Sequence, residues 1–289
     1  MSVLEQSQPA DRLELKEITG PSAVGGGWRR FWELLWLLSA TDFKKAFFGT
    51  ILGYLWSLVR PLVLFAVLFV VFTKIFKLGS GVPNYPVLLL FNIVLFTFFQ
   101  EGTTGAVGSV LGQEGIVRKT QFPRLAIPLS VVMTAVFNLG LNMVVVVAFI
   151  LAYGVDPTWT WLLLPLALLP LVVLTSGVAL LLSALNVRFR DVAFIWTVFA
   201  NALFYMTPVL YTINVPGMPQ DLRRLLLINP LTPILEQARA WVIDPSAPGA
   251  VAAAGGWLHM IPGIAIFVGV CVAGVWVFRR EAPKIAEML

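Results

Sequence analysis

Ionisable residues are scarce in this chain, and two of them, Arg60 and Glu101, fall inside long apolar runs. A charge at membrane depth is costly, so it marks a proton relay, a substrate path or a pairing between helices. An ion-coupled device would need both groups, and two make a thin relay. Glu101 follows Gln100 and precedes Gly102, Thr103, Thr104 and Gly105, a polar, small-residue stretch that suits a wet interior. A carboxylate near the interface, serving packing or topology, fits the same spacing. Arg60 precedes Pro61 and must snorkel inward or face protein and water.

Other chemistries fail for want of parts. His259 is the only histidine and Cys271 the only cysteine, which leaves no zinc-type ligand set and no intrachain disulfide. The acids occur singly and no nucleophile stands beside a base, so no enzyme constellation is legible. No G-x-x-x-x-G-K-[ST] phosphate loop occurs, so any ATP must be hydrolysed by a separate subunit, and no cofactor or metal is expected in this chain.

The densest polar stretch is Gly112–Pro128, GQEGIVRKTQFPRLAIP, between two apolar runs. Arg118, Lys119 and Arg124 put three cations in seven residues without an acid among them, the pattern of a cytoplasmic loop. Pro123 and Pro128 disfavour helix in the residue before each, so the loop holds at most a short helix, suited to receiving a push from a cytoplasmic partner. The competing reading is an ordinary basic loop that only sets topology.

Composition fixes the class. Of 289 residues 58% are hydrophobic and 12% charged, with a mean hydropathy of +0.87, whereas a soluble domain carries about a quarter charged residues. The expectation is an all-α integral membrane protein with six spans: Thr50–Phe72, Tyr85–Val110, Leu129–Tyr153, Trp161–Leu185, Val192–Tyr211 and Trp257–Phe278. Residues 1–27 read as a polar cytoplasmic tail without the apolar core of a signal peptide, and 279–289 as a second cytoplasmic tail. Residues 28–41 read as an interfacial amphipathic helix, with Trp28, Phe31, Trp32, Leu35 and Leu38 on one side and Arg29, Arg30 and Glu33 on the other. With both termini inside, fourteen of the twenty Lys and Arg residues are cytoplasmic and five are outside, leaving Arg60 in a span. The basic excess therefore sets orientation and argues little for nucleic acid.

Between spans five and six two short amphipathic helices are expected within residues 219–243. The first follows Pro219 and carries Leu222 and Leu226 on one face. The second starts with Thr232 as N-cap and Pro233 at its first position, with Ile234 and Trp241 on its stripe. Each reaches only half-way across a bilayer, so they are expected to re-enter the outer leaflet and return. Trp56, Phe96, Phe99, Trp196, Phe199 and Tyr205 form an aromatic inventory whose members face lipid, core or a conduit.

Seven stretches in order resemble the type-2 ABC exporter permeases that move O-antigen, teichoic acid and cell-wall galactan chains out of bacteria. They are Asp42–Leu62, Leu95–Gln100, Ile116–Ser130, Asn186–Val192, Thr207–Thr212, Ile228–Arg239 and Phe278–Leu289. The resemblance covers roughly Trp28 to Leu289. It implies a homodimer of six-span subunits in the bacterial cytoplasmic (inner) membrane, above two copies of an ATP-binding subunit that holds ATP and Mg, with a conduit for a lipid-linked polysaccharide. It maps the coupling segment onto 113–125, with Gln113, Glu114, Arg118, Lys119, Phe122, Pro123 and Arg124 as the residues facing the ATPase. The outer gate maps onto 219–243, with Leu222, Leu226, Ile234 and Trp241. Flat aromatic rings and Glu101 would then line the conduit, since stacking guides a sugar chain without trapping it. The chain departs from the family at Ala46, Phe47 and Phe48, where a basic residue and a tyrosine are usual, and at Gln113–Glu114. The alternative is an ion-coupled transporter or channel without an ATPase; an intramembrane enzyme acting on lipid-linked sugars is a third.

Overall fold

The computed structural model describes residues 27–47, 53–75, 82–113, 123–213 and 218–282, and all regular structure among them is helical. Among the described residues, five helices are long and apolar enough to cross a membrane: Leu55–Ile75, Tyr85–Val107, Ala126–Ala152, Trp159–Arg188 and Trp257–Glu281. In chain order the helices are α1 (Gly27–Phe47), α2 (Leu55–Phe69, prolonged by a π-helical stretch Val70–Ile75), α3 (Tyr85–Val107) and α4 (Ser109–Gly112). Then come α5 (Ala126–Ala152), α6 (Leu164–Arg188, led in by a tight 3₁₀ turn Trp159–Leu163) and α7 (Val192–Met206). Last are α8 (Gln220–Ile228), α9 (Leu231–Val242), α10 (Ala250–Ala254) and α11 (Trp257–Glu281).

Helix α3 is the hub. Its sequence is apolar on every side through LLLFNIVLFTFF, which suits a helix enclosed all round, and it packs on α2, α5, α6, α7 and α9. Leu88, Leu89, Phe91, Ile93 and Leu95 have no measurable exposure. Helix α11 packs mainly on α6, at a crossing made by glycines: a Cβ on Gly274 would stand 2.2 Å from the Gly177 carbonyl oxygen. Small residues allow two backbones to approach this closely where no hydrophobic force drives helices together in lipid. By contrast α2 buries only Pro61.

Helix α1 runs six residues beyond the expected 28–41, because Thr41–Phe47 contains neither Gly nor Pro to stop it. Its apolar stripe is divided in two. Phe31, Leu35 and Ser39 are buried, the first two against the start of α5 and the ends of α6 and α11, while Trp28, Trp32 and Trp36 stand exposed on its flank. The fifth expected span, 192–211, is helical only to Met206, a length of about 22 Å at 1.5 Å per residue, short of a ~30 Å hydrocarbon layer. Thr207 turns extended because Pro208 follows it. The irregular chain beyond is buried and tied to α3: Tyr85 Oη donates to Leu210 O (2.8 Å) and Asn92 Nδ2 to Pro208 O (3.2 Å).

Helices α8 and α9 fall where two short helices were expected, with one correction. Thr232 is not the N-cap of α9; it lies inside the helix, and its hydroxyl donates back to Leu226 O (2.7 Å). Asn229 accepts from Leu231 N–H (3.0 Å) at that end instead, because Pro230 and Leu231 already turn helical.

Candidate functional site

Pro61 opens the site. A proline has no N–H to give the carbonyl four residues earlier, so the turn of α2 before it leaves Ser57 O free. Asn142 on α5 supplies the missing donor, its Nδ2 reaching Ser57 O at 3.4 Å and Asn138 O at 2.8 Å. One turn away Arg60 points toward α3, with Nη1 3.7 Å from Glu101 Oε1; Asn138 Nδ2 donates to Glu101 Oε2 at 3.3 Å. Glu101 is therefore held from two helices. Arg60 remains 78% exposed and Glu101 26% exposed, so the pair is accessible from a cleft and is not a sealed core bridge.

Two adjoining cavities meet at this pair. One of about 520 Å³ runs between α2, α3, α5 and α7 past Thr97, Gln100, Thr104, Thr134 and Thr197. The other, about 670 Å³, opens beside Trp56, Ser57 and Val63. Both include Arg60, Glu101 and Asn138 in their walls. Gln100 Nε2 donates to Asn201 Oδ1 (3.2 Å), which extends the polar lining from α3 to α7. A cleft lined by charges, amides and hydroxyls can bind and pass polar groups.

The aromatic residues divide between this cleft and a packed seam. Phe204, Phe96, Phe99, Trp196 and Phe199 form one row, with successive ring centroids 5.2, 6.0, 6.3 and 5.5 Å apart. Phe96 and Phe99 are only 2% exposed, and Trp196 is fixed by its Nε1 donating to Thr103 Oγ1 (3.2 Å). These three join α7 to α3 in this conformation. Trp56 borders the cleft, while Phe199 and Tyr205 are exposed on the far side of the seam.

The residues of 113–125 divide as well. Glu114, Arg118, Lys119 and Phe122 lie outside the described residues; Gln113 is half-buried, and Pro123 and Arg124 are buried. Arg124 Nη1 donates to Ala282 O at the end of α11, and burial pushes its guanidinium below the ordinary arginine range. An arginine at the last carbonyls of a helix satisfies an orphan acceptor and complements the helix dipole. At the other end of the molecule Leu226 and Ile234 are buried, Trp241 is half-buried and Leu222 is exposed. There a buried pair joins Arg239 to Glu236 (3.3 Å), and Glu236 also accepts from Ile213 N–H (3.1 Å). Burial raises the Glu236 carboxyl above its ordinary value, opposed by the Ile213 hydrogen bond and by Arg239.

Sequence reading found Arg60 and Glu101 but missed Asn138 and Asn142. The available signal was two amides four residues apart in VFNLGLN, on one side of an otherwise apolar helix. It also missed Glu236 and Arg239, whose spacing of three suits a helical pair.

An all-helical bundle with several membrane-crossing helices and a polar cleft among them defines a multi-pass membrane protein built to bind or pass polar material. Its family follows from the sequence profile of ABC-2 type transporters, which matches residues 33–242, so the chain belongs to that family. It is 28% identical over 260 residues to the O-antigen export system permease protein RfbA of Klebsiella pneumoniae, covering 89% of this chain and 95% of that one. It is 27% identical over 217 residues to the protein of the same name from Myxococcus xanthus, covering 75% and 83%. To the polysialic acid transport protein KpsM of Escherichia coli it is 21% identical over 230 residues, covering 76% and 84%.

Proposed function

We propose that this chain is the transmembrane permease subunit of an ATP-driven exporter that carries a lipid-linked polysaccharide, of O-antigen, teichoic acid or galactan type, from the cytoplasm to the outside. The observation that carries the reading is the similarity to O-antigen export permeases along nearly the whole of both chains. Membership of a transport family makes the chain a transport subunit and not an enzyme. In this reading α7 with its buried extension counts as the sixth span, both termini are cytoplasmic, and the protein sits in the inner membrane as a homodimer. Two copies of a separate ATP-binding subunit supply ATP and Mg, meeting the segment 113–125. Helices α8 and α9 form an outer gate that re-enters the bilayer from outside.

The conduit in this proposal runs along the polar cleft and the exposed side of α7. Trp56, Glu101, Phe199 and Tyr205 meet the polymer, and Phe96, Phe99 and Trp196 back them. Arg60 and Glu101 suit a passage better than a binding pocket, since each already neutralises the other and neither offers a lone charge to hold a sugar chain. Reconstitution tests the whole reading: the chain is placed in proteoliposomes with its ATP-binding subunit and a lipid-linked glycan, and glycan movement is followed. Transport that requires ATP and that subunit is the expected result. Movement driven by an ion gradient without the ATPase would overturn the proposal in favour of ion coupling.

A further inference from the structure

Beneath the flank of α1 lies another hollow, remote in chemistry from the polar cleft. It is an apolar groove of about 390 Å³ bounded by Trp28 and Trp32 of α1, Leu129 and Met133 of α5, Val172 of α6 and Val275 of α11. Its polar members are two. Ser176 already donates its hydroxyl to Val172 O (2.8 Å), and Arg279 stands at the cytoplasmic end of α11.

The surroundings identify the occupant. Tryptophans and arginines together at the end of a span mark the headgroup level of a bilayer. Water has no partners along apolar walls of this kind, whereas hydrocarbon does. Arg279 has no acidic partner among the described residues, unlike Arg29, which is tied to Glu33 at 2.9 Å. Its neighbour Arg280 lies over the Trp276 ring at 5.4 Å, so the charge at the groove is left to Arg279. An apolar slot whose lining, among the described residues, carries one cation without an acidic partner complements an anionic amphiphile.

We propose that this groove holds one acyl chain of an anionic phospholipid of the cytoplasmic leaflet, with the lipid phosphate on Arg279. It rests on the export reading only for which leaflet Arg279 faces. A chain seated there joins α1 to α5, α6 and α11, so the lipid is a structural member of the amphipathic helix's mooring.

The test uses the purified full-length chain in nanodiscs of equal phosphatidylglycerol and phosphatidylcholine, followed by native mass spectrometry of the lipid kept after release. The expected result is one phosphatidylglycerol per chain, favoured about fivefold over phosphatidylcholine, the preference a single basic residue gives near an anionic headgroup. Met133→Trp fills the groove and should abolish retention. Arg279→Gln, at an exposed side chain that leaves the fold intact, should keep a lipid and lose the preference. Equal retention by wild type and Met133→Trp, no headgroup preference in wild type, or a polyprenyl chain as the retained species would each overturn the proposal. Retention is measured without ATP or transport, so its failure is separate from any failure of the export reading.

Discussion

Asn142 gives α2 the hydrogen bond that Pro61 removes, and with the Arg60–Glu101 pair it tethers a helix whose only fully buried residue is Pro61. Replacing Asn142 by leucine leaves Ser57 O unpaired at a cost of about 1–3 kcal/mol. Hydrogen exchange along α2 should rise in Asn142→Leu, and unchanged protection would show that the tether carries nothing. Arg124 poses the opposite case. A cation in a basic loop reads as an exposed docking residue, yet the guanidinium is buried on the last carbonyl of α11. Arg124→Ala should therefore lower thermal stability, by about 1–3 kcal/mol for the carbonyl it deserts. If Arg124→Ala uncoupled ATP hydrolysis with no loss of stability, the residue would belong to the docking surface after all. Both cases mark a limit of reading residues along a line. The charges of Arg60, Glu101 and Arg124 are visible in any pattern, whereas their partners stand 41, 37 and 158 positions away and are brought near only by packing.

At the scale of elements, the helices that sequence located best were those with an unambiguous stop. Gly154 and Asp156–Pro157 end the α5 run, and Pro219 and Pro230 punctuate the two short helices α8 and α9. The sequence pattern carries the helix past the true end of α7 because apolarity continues through PVLY, whose Pro208, Val209 and Leu210 are buried as irregular chain and not as helix. Apolarity reports burial, and in this stretch burial and helix part company. The α6–α11 crossing gives a sharp prediction. Gly274→Leu cannot fit against the Gly177 carbonyl, so the helices must separate, at a cost of at least about 1–3 kcal/mol. Thermal unfolding in detergent should show it, and a wild-type midpoint would show that the crossing is loose. For α8, Leu222→Cys in a Cys271→Ser background should react with an impermeant thiol reagent added outside. Labelling from the cytoplasmic face alone would reverse the proposed orientation.

For the whole molecule, export and hydrolysis should separate according to which end is altered. Trp56→Ala combined with Phe199→Ala removes two exposed rings from the proposed path, each worth about 0.5–1.5 kcal/mol of aromatic contact. Export of long chains should slow more than basal ATP hydrolysis. Phe122→Ala, in the proposed coupling segment, should leave hydrolysis running with export reduced. Equal losses of both activities in both variants would mean that path and coupling are not distinct parts of the protein.

The loosely seated first span also has a history during synthesis. Arg60 leaves the ribosome 41 residues ahead of Glu101 and still further ahead of Asn142, so α2 must enter the lipid before any of its tethers exist. An unpartnered arginine opposes insertion by about 2.5–3.5 kcal/mol at the centre of a span and by less at Arg60, the sixth of the 21 residues Leu55–Ile75, while the fourteen Leu, Ile, Phe and Val residues of that span favour it by about 4–8 kcal/mol at 0.3–0.6 each. The span can thus be released into the bilayer alone and wait there. Its assembly with α3 and α5 is a later step, and the apolar surplus of this segment is what lets the chain carry a charge across that interval.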